Sequence, residues 1–159
     1  MTLPIAYMAP KDWYKAYLAD PQAIEIEGLE SFEKQTFRNR CLISTPDGPL
    51  TLSVPVKKVE HKQLTRDIEI SYQSHWQHQH WISLVSAYRH TPFFDYYADF
   101  FRPFFERETK WLWDFNSQIH ETIMFSEQYY PCLIILFITF AAEIFITNPI
   151  VTKCIRKPI

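Results

Sequence analysis

Short apolar runs separated by turn residues predict that the first half of the chain is built from strands. Apolar and polar side chains alternate along most of these runs, as they do where one face of a strand is buried. The pattern predicts five strands, at residues 3–8, 23–27, 40–44, 50–56 and 67–72. The two strands at 40–44 and 50–56 flank the segment TPDGP, where proline fixes φ and Gly48 accepts a positive φ, so a tight turn is expected. Pro55 has no N–H to donate, which places it at a strand edge or end.

The first helix is predicted directly after the first strand. Pro10 suits the first turn of a helix, and Tyr14 and Tyr17 then share one face. Asp20 precedes Pro21, and the residue before a proline disfavours the helical conformation, so the helix should end there. A strand that runs directly into a helix is compatible with a Rossmann-like start.

Helical periodicity replaces alternation after residue 73. Ser74 and Gln77 have the spacing of a capping box, in which two side chains satisfy backbone N–H groups at a helix start. Apolar residues then recur at helical spacing, at Trp81, Leu84, Val85 and Tyr88, and again at Leu112, Phe115, Ile119 and Ile123. Thr91 and Pro92 fit the start of a second helix, and Pro103 the start of a further segment. The predicted fold class is mixed α/β, with a small sheet in the N-terminal half and helices in the C-terminal half.

The composition changes near Pro131. Residues 132–151 contain one charged side chain, Glu143, and three basic residues follow them. About 20 apolar residues cross a bilayer core, so this length favours a membrane segment, whereas Glu143 and Pro149 argue against it. A buried core segment is the alternative. We therefore divide the chain into an α/β domain, residues 1–130, and an apolar tail, residues 131–159.

Composition and charge exclude several classes of function. Sixteen basic residues against 18 acidic ones give a net charge of −2, so no nucleic-acid partner is expected. Gly28 and Gly48 are the two glycines, too few for a Walker A loop or a dinucleotide-binding fingerprint. The three cysteines have no paired spacing, which disfavours disulfides and zinc, and no secretory signal pattern is present at the N-terminus. We expect a cytoplasmic protein.

Three neighbouring histidines resemble a metal-binding cluster. On a helix, however, His78 and His80 lie about 200° apart around the axis, so His75, His78 and His80 cannot all meet one ion. The sequence therefore predicts no metal site.

Two other groups of polar residues carry candidate chemistry. Arg38 and Arg40 flank Asn39, and two guanidinium groups around an amide can hold a phosphate or carboxylate through paired hydrogen bonds. Ordinary surface charge at a strand start is the alternative, and the triplet alone favours it. His80 has a side chain whose ordinary pKa suits proton transfer near neutrality, and Tyr88 follows two turns later. Core packing is the alternative for this second group.

Five segments, in this order, resemble the WbqC-like protein family. They are LPIAYMAP at residues 3–10, QTFRNRC at 35–41, LTLSVPV at 50–56, HWISLVSAY at 80–88 and TPFFDYY at 91–97. The resemblance covers residues 1–128 and gives more weight to the Arg38-Asn39-Arg40 triplet, which lies in one of the motifs. It implies a bacterial cytosolic α/β protein from a family often linked to the biosynthesis of O-antigen or other surface polysaccharides.

From this resemblance we expect an enzyme that acts on a nucleotide-activated or amino sugar, with group transfer as the candidate reaction. The matched positions with useful chemistry are His80 and Tyr88 as catalytic residues, and Tyr7, Arg38, Asn39 and Arg40 as substrate-binding residues. The expected partner is a small-molecule substrate, and the identity of any cofactor is left open.

Two other functions follow from the tail, because the resemblance stops near residue 128. Members of the family continue with a stretch of soluble character where this chain has Ile- and Phe-rich sequence. A frameshift in AT-rich DNA would produce that composition, and the chain would then be an inactive truncated fragment. Alternatively, residues 132–151 anchor a non-catalytic interaction protein in a membrane.

Overall fold

A strand-rich half precedes a helical half, as the apolar pattern predicts. The structure, a computed structural model, describes residues 2–91 and 94–129. Its strands are β1 (Thr2–Pro4), β2 (Glu25–Glu27), β3 (Arg40–Thr45) and β4 (Gly48–Ser53), and its α-helices are α1 (Lys11–Ala19), α2 (Trp76–Tyr88), α3 (Phe94–Glu106) and α4 (Leu112–Tyr129). The mixed α/β class is confirmed.

The chain begins with a β-α-β unit. Strands β1 and β2 are parallel, with Thr2 opposite Glu25, and α1 makes the crossover that a parallel pair requires. Helix α1 begins after Pro10 and ends before Asp20, as predicted. The first strand is shorter than the predicted 3–8, because the chain leaves the extended conformation and Met8 adopts a φ of 44°.

The second sheet is a hairpin of β3 and β4. The strands are antiparallel, with Arg40 opposite Ser53 and Thr45 opposite Gly48. Gly48 has a φ of 119°, a value that favours glycine, and the Thr45 hydroxyl donates to the Gly48 carbonyl at 2.6 Å. Strand β4 ends two residues before Pro55, so the prediction of a strand end at this proline is confirmed.

The predicted fifth strand, residues 67–72, is wrong. Residues Thr65–Asp67 form a 3₁₀ helix, and the following segment pairs through isolated bridges. The N–H of Ile70 donates to the carbonyl of Lys110, whereas the N–H of Ser71 donates to that of Pro55. Ile68 and Ile70 are buried, as their alternation with polar residues suggests, but the bridges on either side stay isolated and form no ladder.

The helical half corrects two predicted boundaries. His75 is the N-cap of α2 and provides no side-chain cap, so the capping box is wrong. Gln77 instead donates through Nε2 to the carbonyls of Phe104 and Arg107 at the end of α3, at 3.0 and 2.6 Å. Pro103 lies inside α3 and does not begin a new segment.

One hydrophobic core joins the two halves. The predicted apolar face of α4 is confirmed, since all four of its residues are buried: Leu112, Phe115, Ile119 and Ile123. On α2 the buried face is centred elsewhere than predicted, at Trp76, His80 and Leu84. Of the predicted stripe, Leu84 is buried, whereas Trp81 and Tyr88 are only partly buried against the core.

The apolar tail lies outside the described residues. Within residues 2–91 and 94–129, no helix combines the length and apolar character needed to cross a membrane. The proposed membrane segment at residues 132–151 and the division of the chain near residue 130 stay predictions.

Candidate functional site

A buried hydrogen bond joins the loop after β1 to the second helix. The hydroxyl of Tyr7 lies 2.9 Å from Nδ1 of His80, and the two rings stack with their centroids 5.8 Å apart. Tyr7 also stacks on Phe115 of α4, again at 5.8 Å. The fold thus brings together two of the six predicted site residues, which are 73 positions apart in the chain.

Burial keeps both members of this pair uncharged at neutral pH. It lowers the pKa of His80 to about 4, and a hydrogen bond to the backbone of Ser53 acts in the opposite direction. It raises the pKa of the Tyr7 hydroxyl well above its usual value. His80 donates one ring N–H to the backbone of Ser53, and Nδ1 is the nitrogen beside Tyr7, so we place the ring proton on Nε2, and the Tyr7 hydroxyl donates to Nδ1.

His80 also forms part of the wall of a cavity between β4 and α2. The cavity has a volume of about 360 Å³, and Trp76 and Ser83 line it from the same helix. Volumes of about 300–1,000 Å³ are typical of small-molecule sites. Trp76 is buried, and its Nε1 has no hydrogen-bond partner among the described residues. This cavity is the candidate binding site.

Tyr88 lies away from this cavity. It is eight residues beyond His80, about 12 Å along the helix at 1.5 Å per residue, and it is not among the residues that line the cavity. Burial raises the pKa of its hydroxyl, and a hydrogen bond to the backbone of Ser44 lowers this pKa by a smaller amount. The fold therefore separates the two residues predicted as catalytic.

Arg38 binds a carboxylate that belongs to the protein itself. Its Nε and Nη2 donate to the two carboxylate oxygens of Glu30 at 2.7 and 2.6 Å, and Glu33 lies 3.6 Å away. The bond to Glu30 is the main reason that the pKa of Arg38 is raised. This is the two-pronged geometry expected for a substrate carboxylate, supplied here from within the chain.

The triplet leads directly into the hairpin, because Arg40 is the first residue of β3 and Asn39 is hydrogen-bonded to Val54, the residue after β4. Asn39 Nδ2 donates to the carbonyl of Val54 at 3.1 Å, and the N–H of Val54 donates back to the carbonyl of Asn39 at 2.8 Å. Asn39 Oδ1 and Arg40 Nε are buried without a hydrogen-bond partner in the part of the chain that the structure describes.

The backbone of residues 37–39 is a junction between three parts of the fold. Its successive carbonyls accept hydrogen bonds of 2.8 Å from the N–H of Tyr7 to Phe37, from Nδ2 of Asn116 to Arg38, and from the N–H of Val54 to Asn39. The sequence analysis missed Asn116. Its signal was present, since Asn116 lies one helical turn after Leu112 on the apolar face of α4, where a polar residue needs a partner.

The sequence analysis identified His80 but missed the other cavity-lining residues of α2, which are Trp76, Gln79 and Ser83. Trp76, His80 and Ser83 follow the spacing i, i+4 and i+7, so they share one helix face. That spacing was readable in the sequence, but it gave no indication that β4 lies opposite.

The three neighbouring histidines have different surroundings. His80 is buried, whereas His75 and His78 are exposed. Over the ranges 2–91 and 94–129, no group of three histidine, cysteine or acidic side chains is arranged to hold a metal ion.

Comparison with protein families places these residues in a known group. A family model described as the WbqC-like protein family matches residues 26–128. The chain belongs to the WbqC-like protein family. The match contains the Arg38–Glu30 ion pair, the β3–β4 hairpin and all of α2, so the cavity belongs to the WbqC-like region. No curated protein and no solved structure gives a significant match to the chain.

Proposed function

We propose that this WbqC-like domain binds a nucleotide-activated sugar and takes part in surface-polysaccharide biosynthesis as a transferase. The observation that carries the proposal is the position of His80, an uncharged imidazole in the wall of a cavity of small-molecule size. The link of the family to surface polysaccharides supports the choice of ligand.

His80 acts in this proposal mainly by binding and orienting the sugar. Its Nδ1 lone pair already accepts the Tyr7 hydroxyl, which fixes the ring. A neutral imidazole is the form that a general base requires, but a pKa of about 4 makes it a weak one. The one lone pair of the ring already accepts from Tyr7, so proton removal from a sugar hydroxyl by His80 requires this hydrogen bond to open first, and it stays a prediction.

Arg38 and Arg40 have supporting roles in this proposal. Arg38 is held by Glu30, and neither arginine is among the residues that line the cavity. The carbonyls of residues 37–39 hold Tyr7, Asn116 and Val54, so this segment supports Tyr7, which in turn orients His80 in the cavity wall. Direct binding of a phosphate by the two arginines stays a prediction.

The test is binding of nucleotide-activated sugars to the full chain by calorimetry, followed by assay of nucleotide release with sugar acceptors. Ser83→Trp places an indole at the cavity wall, and Ser86→Trp makes the same change at an exposed position of α2 outside it. We expect Ser83→Trp to weaken binding at least tenfold and Ser86→Trp to leave it unchanged.

A milder variant covers the case in which Ser83→Trp does not fold. Gln79→Ala shortens another cavity-lining side chain that is exposed on its outer side, and it should weaken binding about fivefold. If no nucleotide-activated sugar binds the folded full chain, or if binding is equal in the wild type, Ser83→Trp and Gln79→Ala, the proposal is wrong.

A further inference from the structure

The lining of the cavity between β4 and α2 combines apolar side chains with polar ones that carry no charge. Among the described residues that line it, six have polar side chains: Thr51, Ser53, Ser74, Gln79, His80 and Ser83. His80 is uncharged at neutral pH, and no lysine, arginine, aspartate or glutamate joins the lining in the described part of the chain. We infer that the cavity receives the uncharged sugar ring of the substrate, and that the phosphates lie outside it. This inference rests on the proposed function and specifies which part of the ligand the site recognises.

A phosphate inside this cavity would lack a compensating charge. Burying an anion without a cation costs several kcal/mol, and proteins meet that cost with arginine, lysine or a metal. Neither predicted arginine lines the cavity: Arg38 is bound to Glu30, and Arg40, whose backbone pairs with Ser53, is not among the lining residues. The N-terminus of α2 borders the cavity, but its partial charge of about +0.5 is small against a diphosphate.

The polar groups of the lining have the hydrogen-bonding character of sugar hydroxyl groups, although the Ser83 hydroxyl already donates to the carbonyl of Gln79 at 2.8 Å. The hydroxyl groups of serine and threonine and the carboxamide of Gln79 both donate and accept, as the hydroxyl groups of a sugar do. Trp76 adds an aromatic surface to the wall, and its Nε1, a donor only, has no acceptor within the described residues. An unmet buried donor is costly, and Nε1 is itself buried, so a ligand oxygen that reaches it after a small side-chain shift would gain affinity.

The indole N–H of Trp76 provides a direct readout. In ¹H–¹⁵N spectra of the full chain, titration with the methyl glycosides of glucose and of N-acetylglucosamine, as uncharged probes, should shift the Trp76 indole signal. The indole of Trp13 donates to the carbonyl of Pro4 and is not part of the cavity, so it is the internal control. Inorganic phosphate and the free nucleoside diphosphate should leave the Trp76 signal unchanged.

A variant pair measures the contribution of the donor. Trp76→Phe keeps an aromatic ring and removes the N–H, and we expect it to raise the Kd for the methyl glycoside about five- to tenfold. Trp111→Phe, outside the cavity, should leave the Kd unchanged. If Trp76→Phe does not fold, the inference is tested by the competition between glycoside and phosphate for the wild-type protein.

The outcomes separate this inference from the proposed function. If phosphate or the nucleoside diphosphate displaces the glycoside and shifts the Trp76 indole, the inference is wrong while nucleotide-sugar binding stands. If the glycoside binds and no nucleotide-activated sugar does, the inference stands and the proposed function fails. If neither binds, both are overturned.

Discussion

Tyr7 and His80 form a hydrogen bond that connects the first loop of the protein to its second helix. The oxygen–nitrogen distance is 2.9 Å, and Tyr7 has no exposed surface. Because one partner lies in the β-α-β unit and the other in the helical half, the bond orients the cavity wall relative to the N-terminal sheet.

Removing the Tyr7 hydroxyl should destabilise the protein and change the titration of His80. Tyr7→Phe leaves Nδ1 of His80 buried without a donor, which should cost about 1–3 kcal/mol of unfolding free energy. It should also raise the pKa of His80, because the hydroxyl donates to the neutral ring. Denaturant melts and NMR titration measure the two effects. Tyr17→Phe is the control, since no bond to its hydroxyl is found within the described residues, and an equal loss in both variants would contradict the prediction.

Arg38 and Glu30 should behave as one structural unit. Lysine cannot reproduce a two-pronged guanidinium pair, so Arg38→Lys should lower the unfolding free energy by about 1–3 kcal/mol. Glu30→Gln should cause a similar loss, and the double variant should lose less than the sum. Glu33→Gln is the control, because Glu33 is exposed and 3.6 Å away. Additive losses in thermal or urea melts would show that the pair does not act together.

Acid should destabilise the fold between pH 6.5 and 4. Burial lowers the pKa of His80 and of His120 to about 4, whereas both titrate near 6.5 in the unfolded chain. In that interval the unfolded state binds more protons, so the unfolding free energy falls as the pH falls, by at most about 1.4 kcal/mol per pH unit for each histidine. Below pH 4 this contribution should level off.

The pH effect can be assigned to one histidine by substitution. The rings of Trp13, Tyr14 and Tyr17 surround His120, and its Nδ1 has no partner in the described part of the chain, so His120→Phe fits the same apolar environment. That variant should flatten the slope of unfolding free energy against pH. The exposed His78→Gln should not, and an unchanged slope in His120→Phe would exclude His120 as a cause.

The two glycines should be sensitive to substitution for different reasons. A Cβ at Gly28 would lie 2.8 Å from ring atoms of Trp113. A Cβ at Gly48 would meet nothing within 4 Å, but the backbone there has a φ of 119°, which disfavours any residue with a side chain. Both alanine variants should lose about 1–3 kcal/mol in denaturant melts, through overpacking at Gly28 and backbone strain at Gly48. Trp113→Leu should partly rescue Gly28→Ala and have no such effect on Gly48→Ala. Equal rescue of both would contradict this account.

Several local features were predictable because their causes lie within a few residues. The hairpin follows from alternation on either side of a turn that contains Gly48, and α1 from Pro10 and the Asp20-Pro21 stop. The apolar face of α4 follows from helical spacing alone. The motif order also identified the family that the match over residues 26–128 shows.

Other predictions failed where a side chain or backbone group bonded to a distant part of the chain and not to its sequence neighbours. Gln77 has the spacing of a capping residue, yet it bonds the carbonyls at the end of α3. The alternation at Ile68 and Ile70 fits their burial, but the segment pairs only through isolated antiparallel bridges, from Ile70 to Val56 and from Glu69 to Trp111, so no strand forms.

By itself the sequence determined the α/β class, the turn, the apolar face of α4 and the set of polar residues worth testing. The tertiary structure decided which of them are in contact. Tyr7 hydrogen-bonds to His80, Arg38 forms an ion pair with Glu30, and Tyr88 lies outside the cavity. The physical reason is the distance along the chain over which each interaction acts. Turn chemistry and hydrophobic periodicity act over a few residues, whereas a buried hydrogen bond or ion pair forms between groups that only packing of the whole core brings within 3 Å.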